Sequence, residues 1–255
     1  MDDSKQAFLK SLDLIDQEVE KFIPFILEDL WELGSMPDYV IKLVKKNINP
    51  FNIKKVVDFG CGKGAVLIKL SKVFDIVGLG IDIVPEFIES AKKYSIENKI
   101  SDRIKFETGD LKDYVSNTRD TDLVIFYGYD STILGNVKES LLQLKKCILD
   151  QGWIIIEIAY TLDSKSKIEG LPSENELITQ INDSELVIID KIIWDVAEIK
   201  RINNRNNSLI GERIKKLIAL HPDKKKLFKR YMDNQINECS LIENDMICST
   251  WILKK

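Results

Sequence analysis

The chain has 255 residues, 44% of them hydrophobic and 31% charged, with a formal net charge of −4. That balance excludes a disordered chain, and the acidity argues against duplex nucleic acid as a partner, because proteins of that kind present a basic face to phosphates. Four cysteines without CxxC spacing and a single histidine make no zinc-ligand set, so no metal is expected, and no apolar run approaches the roughly 20 residues that a bilayer span needs.

In chain order, residues 1–8 are acidic and lack the apolar core of a signal segment. Together with the isolated cysteines this predicts a cytoplasmic protein with reduced thiols. Residues 4–47 read as mostly helical. Phe8, Leu12, Ile15, Val19, Phe22 and Ile26 recur at spacings of three and four and make one apolar face. Pro24 falls inside that run and predicts a kink or a split. Gly34-Ser35-Met36-Pro37 interrupts the region again, with Ser35 in the position of an N-cap and Pro37 at an early helical position.

From Lys55 the pattern changes to short apolar runs alternating with amphipathic stretches, the signature of βαβ units on a parallel sheet. Strands are predicted over 55–59, 75–82, 103–107, 122–127 and 152–160. Helices are predicted over 65–73, 85–98 and 136–149, the last with Val137, Leu141, Leu144 and Ile148 on one face. A further helix is expected over 174–181, then strands over 185–194 and 245–253. The stretch of about 196–244 between the last two strands is longer than a simple connection requires and rich in helix formers. Pro222 is expected to open its longest helix, with Phe228, Met232, Ile236 and Cys239 on one side. This insertion is a candidate lid or dimer arm, and with it a possible homo-oligomer.

The informative stretch is Val56-Val57-Asp58-Phe59-Gly60-Cys61-Gly62-Lys63-Gly64-Ala65, an apolar strand running through three alternate glycines into an amphipathic helix. Glycines permit close ligand approach, and a helix N-terminus favours negative groups. The glycines alone also fit the dinucleotide fingerprint, as Gly60-x-Gly62-x-x-Ala65. Asp58 weighs against that fit, since a carboxylate there repels a pyrophosphate and attracts a cationic ligand group.

Asp58-x-Gly60-x-Gly62-x-Gly64 resembles the first motif of class I methyltransferases, (D/E)xGxGxG. Asp82, 24 residues after Asp58, ends the next strand where an acid of that family binds both ribose hydroxyls. Such an acid is expected in a nicotinamide enzyme too. Phe106-Glu107-Thr108-Gly109-Asp110-Leu111 resembles the end of the family's third strand. There an Asp contacts the adenine amino group and an apolar neighbour packs on the ring. Residues 122–130 resemble its fourth strand, which opens onto methyl donor and acceptor. The resemblance covers 55–160, extends to the C-terminal strand pair, and says little about 1–50 or 195–243.

What the resemblance implies is a doubly wound, mostly parallel, seven-stranded α/β sheet with helices on both faces. Residues 1–50 form an N-terminal helical cap, and 51–255 form the methyltransferase domain with its helical insertion. The implied cofactor is S-adenosyl-L-methionine, held by Asp58, Gly60, Cys61, Gly62, Gly64, Asp82, Ile83, Asp110, Leu111 and Tyr127. Cys61 reads as a small loop residue rather than a nucleophile. Tyr129 and Asp130, just past the fourth strand, are the candidate catalytic residues. Trp31 reads as core rather than pocket, His221 as a helix-start residue rather than a base, and the Lys224-Lys225-Lys226, Lys229-Arg230 run as a solvated helix face.

The Asn/Asp-Pro-Pro-aromatic motif of nucleic-acid amino-methylating enzymes is replaced by Tyr127-Gly128-Tyr129-Asp130, which leaves a small molecule as the expected acceptor. The competing readings are an NAD(P)-dependent oxidoreductase on a similar sheet and a non-catalytic module that binds S-adenosylmethionine.

Overall fold

The computed structural model describes residues 17–162, 168 and 170–255. Phe8, Leu12 and Ile15 of the expected N-terminal apolar face lie outside the described residues. Gln17–Phe22 forms a 3-10 turn that passes into a short helix, α1 (Ile23–Ile26). The run changes from 3-10 to α geometry between Phe22 and Ile23, and Pro24 takes the second position of α1, where its missing N–H has no intrahelical partner to lose. Helix α2 (Pro37–Asn47) begins with Pro37 as its first residue, as expected, but its N-cap is Met36 and no side chain caps it. The Ser35 cap is thus corrected: Met36 is buried in the same apolar cluster as Val40 and Leu43 of α2, and this packing sets the entry to the helix.

The sheet is built from β1 (Lys55–Phe59), β2 (Val77–Asp82), β3 (Ile104–Thr108), β4 (Thr121–Phe126), β5 (Ile148–Tyr160), β6 (Val187–Ile193) and β7 (Ile247–Lys254). Its order is β3-β2-β1-β4-β5-β7-β6, with β7 antiparallel to both neighbours. The crossover helices are α3 (Ala65–Ser71), α4 (Pro85–Glu97) and α5 (Leu111–Asn117), followed by α6 (Ser131–Leu134), α7 (Val137–Leu144) and α8 (Glu174–Asn182). Side chains alternate across each strand and so divide the core into two layers. Val56, Ile125, Ile155 and Ile252 pack with α2, α3 and α4 on one face. Val57, Val124, Ile154 and Leu253 pack with α5, α7 and α8 on the other. The chain reverses its direction of strand addition between β1 and β4, the position where open α/β sheets bind ligands.

Three expectations change at element ends. β2 starts at Val77, because Ile76 turns back to bond the Phe74 carbonyl. The helix expected over 136–149 stops at Leu144. Lys146 and Cys147 make tight bonds to the Gln143 and Leu144 carbonyls, and Ile148 pairs with Thr121 as the first residue of β5. In the insertion, the longest helix is α9 (Val196–Leu220, 25 residues), which precedes Pro222. Pro222 opens a 3-10 turn leading into α10 (Lys225–Asn244, 20 residues), since the helix cannot be continued through proline. On α10, Phe228 and Cys239 are buried, but Ile236 is exposed, so the apolar stripe is narrower than its sequence spacing suggests. Among the described residues no helix is long and apolar enough to cross a membrane.

Candidate active site

The C-terminal ends of β1, β2, β4 and β5 open onto a cavity of about 400 Å³. The loop from Gly60 to Lys63 forms its floor, and Gly64, also expected at the cofactor, is not among the wall residues. Gly60, Gly62 and Gly64 all have positive φ, of 74°, 51° and 74°. At Gly64 the need for glycine is steric as well, since a Cβ would stand 2.6 Å from Phe106 Cζ and 3.1 Å from the Ala91 Cβ. The loop is tied to the end of β2. Gly60 and Cys61 N–H both donate to the Ile81 carbonyl at 2.9 Å, and Gly62 N–H donates to Asp82 Oδ2 at 2.8 Å. Ala65 and Val66, in the first turn of α3, also line the cavity. Amides of a first turn have no intrahelical acceptor.

Asp58, the penultimate residue of β1, stands at the cavity wall with 1% of its surface exposed, and its Oδ2 has no hydrogen-bond partner among the described residues. Burial, reinforced by the charge of Asp82, pushes the carboxyl up to about 7. A buried acceptor of this kind is costly unless a donor meets it. Asp82 is half-buried and accepts from Val84 N–H at 2.9 Å as well as from Gly62. Burial raises its pKa, and these backbone donors oppose the rise. A carboxylate has about four lone-pair sites, so Asp82 keeps capacity for a ligand. Burial, then the charges of Asp58 and Asp82, raise the Cys61 thiol well above its ordinary value, which holds it neutral.

Lys63, the cation within the loop, turns away from this acidic floor. Its Nζ donates to the carbonyls of Leu27 at 2.6 Å, Glu28 at 3.0 Å and Leu30 at 2.7 Å, in the turn after α1. Burial lowers its pKa to about 8. The same N-terminal segment brings Trp31 to the cavity, where its indole N–H donates to the Lys63 carbonyl at 3.1 Å. Trp31 therefore packs against the core, as its sequence context suggested, and also forms part of the wall, which that context did not show.

Of the other residues singled out in the sequence, Leu111 and Tyr127 line the cavity. Tyr127 bonds the Thr250 hydroxyl at 2.5 Å and stacks on Trp194 with ring centroids 6.3 Å apart. Asp110, Ile83, Tyr129 and Asp130 are not among the wall residues. Asp110 caps α5 through Lys112 N–H, and Asp130 caps α6 through Thr132 N–H. Tyr129 donates to the Gly135 carbonyl at 3.2 Å and meets Phe126 edge-on, while Ile83 packs with the cluster around α1 and α9. His221 lies between Phe22 and Phe228, away from the cavity.

The sequence reading missed Glu157. It lines the cavity from β5 and accepts from Gly128 N–H at 3.1 Å, and burial pushes it up to about 7. The signal was one acidic residue in the apolar run 153–160. Trp194 and the insertion residues Ile199, Ile202, Asn203, Glu238 and Ile242 complete the wall. Both the N-terminal segment and the insertion thus contribute to the cavity.

A family model described as a methyltransferase domain matches residues 52–235. The release factor glutamine methyltransferase of Dictyoglomus turgidum is 36% identical over 133 residues, which is 42% of this chain and 47% of that protein. The chain thus spans about half the length of this curated relative. Among solved structures, the SAM-dependent methyltransferase of Geobacter sulfurreducens in complex with S-adenosyl-L-homocysteine has a TM-score of 0.75 at 17% identity, covering 91% of this chain and 97% of that one. The corresponding complex from Thiobacillus denitrificans has a TM-score of 0.74 at 16% identity, with coverages of 91% and 97%. These structural likenesses concern the fold.

Proposed function

The chain belongs to the methyltransferase-domain family, and from that premise we propose that it transfers a methyl group from S-adenosyl-L-methionine to a small-molecule acceptor. One observation carries the reading: the buried, unpartnered Oδ2 of Asp58 beside a positive-φ glycine loop. An ammonium group supplies the donor that this oxygen lacks. A pyrophosphate would instead meet a carboxylate in a site of low dielectric, which disfavours the nicotinamide dinucleotide reading.

Asp58 would hold the amino group of the cofactor's amino-acid end, Asp82 its ribose hydroxyls, and Leu111 would pack on its adenine. When bound, the cofactor supplies a methyl carbon already activated by its sulfonium. The protein's task is then to exclude water and fix the acceptor, a role suited to walls drawn from Trp31, Trp194, α9 and α10. A cavity of about 400 Å³ lies toward the small end of ligand pockets, roughly 300–1,000 Å³. Donor and acceptor must share it, so the acceptor group that enters is small, and the net charge of −4 weighs against a nucleic acid. Free thiols at all four cysteines fit a reducing cytoplasmic setting.

Titration calorimetry with S-adenosyl-L-methionine and with NADH tests the reading. Binding of the first, followed by release of S-adenosyl-L-homocysteine when an acceptor mixture is added, is the expected result. Binding of NADH alone overturns it, and tight cofactor binding with no turnover across a broad acceptor panel turns the reading toward a binding module.

A further inference from the structure

On the methyl-transfer reading above, we infer that the acceptor is a small primary or secondary amine on an apolar or aromatic body, bound as its ammonium, with Glu157 holding and then taking its proton. Asp58 and Asp82 are matched by the two polar ends of the donor. Glu157 is left as a half-buried carboxylate at the same cavity with no assigned task.

Its surroundings suit a cation. Ile155 pairs with Ile125, so Glu157, two residues on, faces the same side of the sheet as Tyr127. Across the sheet Glu157 pairs with Thr250, whose hydroxyl bonds both the Tyr127 hydroxyl at 2.5 Å and the Trp194 indole N–H at 2.9 Å. The carboxylate thus stands beside a stacked Tyr127–Trp194 pair, and an aromatic face next to a carboxylate attracts ammonium groups.

Away from the glycine loop and the first turn of α3, whose amides suit the carboxylate end of the donor, no side chain on the described wall suits an anion. Among the described wall residues Lys63 is the cationic side chain, and its ammonium is bonded to three carbonyls outside the cavity floor. Asp58, Asp82, Glu157 and Glu238 would all repel a carboxylate or phosphate acceptor. Ile199, Ile202 and Ile242 supply an apolar surface for the rest of the molecule.

The chemistry closes. Glu157, ionised, accepts one proton from the bound ammonium and becomes a neutral acid. The freed nitrogen lone pair forms the N–C bond to the methyl carbon while the C–S bond breaks and its electrons stay on sulfur. The products are a methylated ammonium, a neutral thioether and protonated Glu157, which returns its proton to water when the product leaves. A carboxyl poised near neutrality can serve as such a base.

The test is calorimetry on the full chain saturated with S-adenosyl-L-homocysteine, using benzylammonium, benzyl alcohol and benzoate as probes. Benzylammonium is expected to bind and benzoate not. E157Q should weaken benzylammonium binding at least about tenfold, and E157D should retain most of it. Release of S-adenosyl-L-homocysteine with an amine panel should fall about 10²–10³-fold in E157Q while affinity for S-adenosyl-L-methionine holds, which also reports that the variant is folded. Benzyl alcohol or benzoate binding as tightly as the cation overturns the inference, as does failure of every probe to bind, or cation binding indifferent to E157Q. Failure to bind S-adenosyl-L-homocysteine in the first titration overturns the methyl-transfer reading itself.

Discussion

Asp58, the glycine loop and Asp82 occupy a single contiguous stretch of chain, whereas Trp31, Tyr127, Glu157, Trp194 and Ile242 reach the other half of the cavity from five separate segments. The first half is held by bonds to the end of β2: Gly60 and Cys61 N–H to the Ile81 carbonyl, and Gly62 N–H to the Asp82 carboxylate. The second half depends on the packing of the N-terminal segment, α9 and α10 against one another and against the start of α4. A site built in this way can keep its donor chemistry while its acceptor side diverges, because substitutions in β5, α9 and α10 leave the bonds between the loop and β2 intact.

The sharpest way to break the comparison is Asp58→Asn. Affinity for S-adenosyl-L-methionine should fall at least about 100-fold by calorimetry, since a buried charge partner is worth roughly 2–5 kcal/mol. The protein without ligand should meanwhile become more stable at pH 8. Asp58 carries a folded pKa raised to about 7, from burial first and Asp82 second. Between about pH 4 and pH 7 the folded chain therefore holds a proton that the unfolded chain has released, and stability declines as pH rises through that window. Asn removes a penalty on the order of 2–4 kcal/mol above pH 7, readable in denaturant melts at pH 5.5 and pH 8. An unchanged affinity would sink the donor assignment.

In the native chain the same titration predicts that cofactor binding weakens about tenfold per pH unit well below pH 7, because Asp58 must first lose its proton. Calorimetry across pH 5 to 8 checks this, and a flat profile counts against a pairing between Asp58 and the ligand ammonium.

Gly64→Ala tests whether the loop is as rigid as its bonds suggest. The added Cβ meets Phe106 and Ala91 at a residue with φ of 74°. A loss of about 1–3 kcal/mol is expected in urea unfolding. Arg213→Ala probes the other region. Arg213 on α9 pairs with Asp29, at 2.5 Å through Nη2, and with Glu28, so it joins the insertion to the N-terminal segment. Both acids are substantially exposed, and the expected loss is under about 1 kcal/mol. Smallest of all, Trp194→Ala should leave affinity for S-adenosyl-L-methionine within about 0.5 kcal/mol while altering binding of acceptor probes. A large drop in cofactor affinity there would show that the two halves are not separable.

The contrast also explains what could be read in the sequence. β1, the glycine loop and α3 were legible because strand, turn and helix signals are consecutive and each constrains the next. Asp110 and Asp130 were not, since a short acid just past a strand can face a ligand or cap the following helix, and both do the latter. Glu157 was hidden inside an apolar run, where only the pairing with β7 reveals which face it takes. Trp31 lines the cavity because Lys63 anchors its segment, a contact across 32 residues that no local pattern encodes. Ile148 continued a helical spacing that the pairing of Thr121 overrode.

The Lys63 anchor makes the residues after α1 and the glycine loop a single mechanical unit. An N-terminal segment borrowed from another protein could not simply be grafted in its place. It would have to present three carbonyl oxygens at the same point, or leave a buried ammonium without its acceptors directly behind the loop proposed to hold the cofactor. Exchange of acceptor preference by recombination is therefore easier at α9 and α10 than at the start of the described chain.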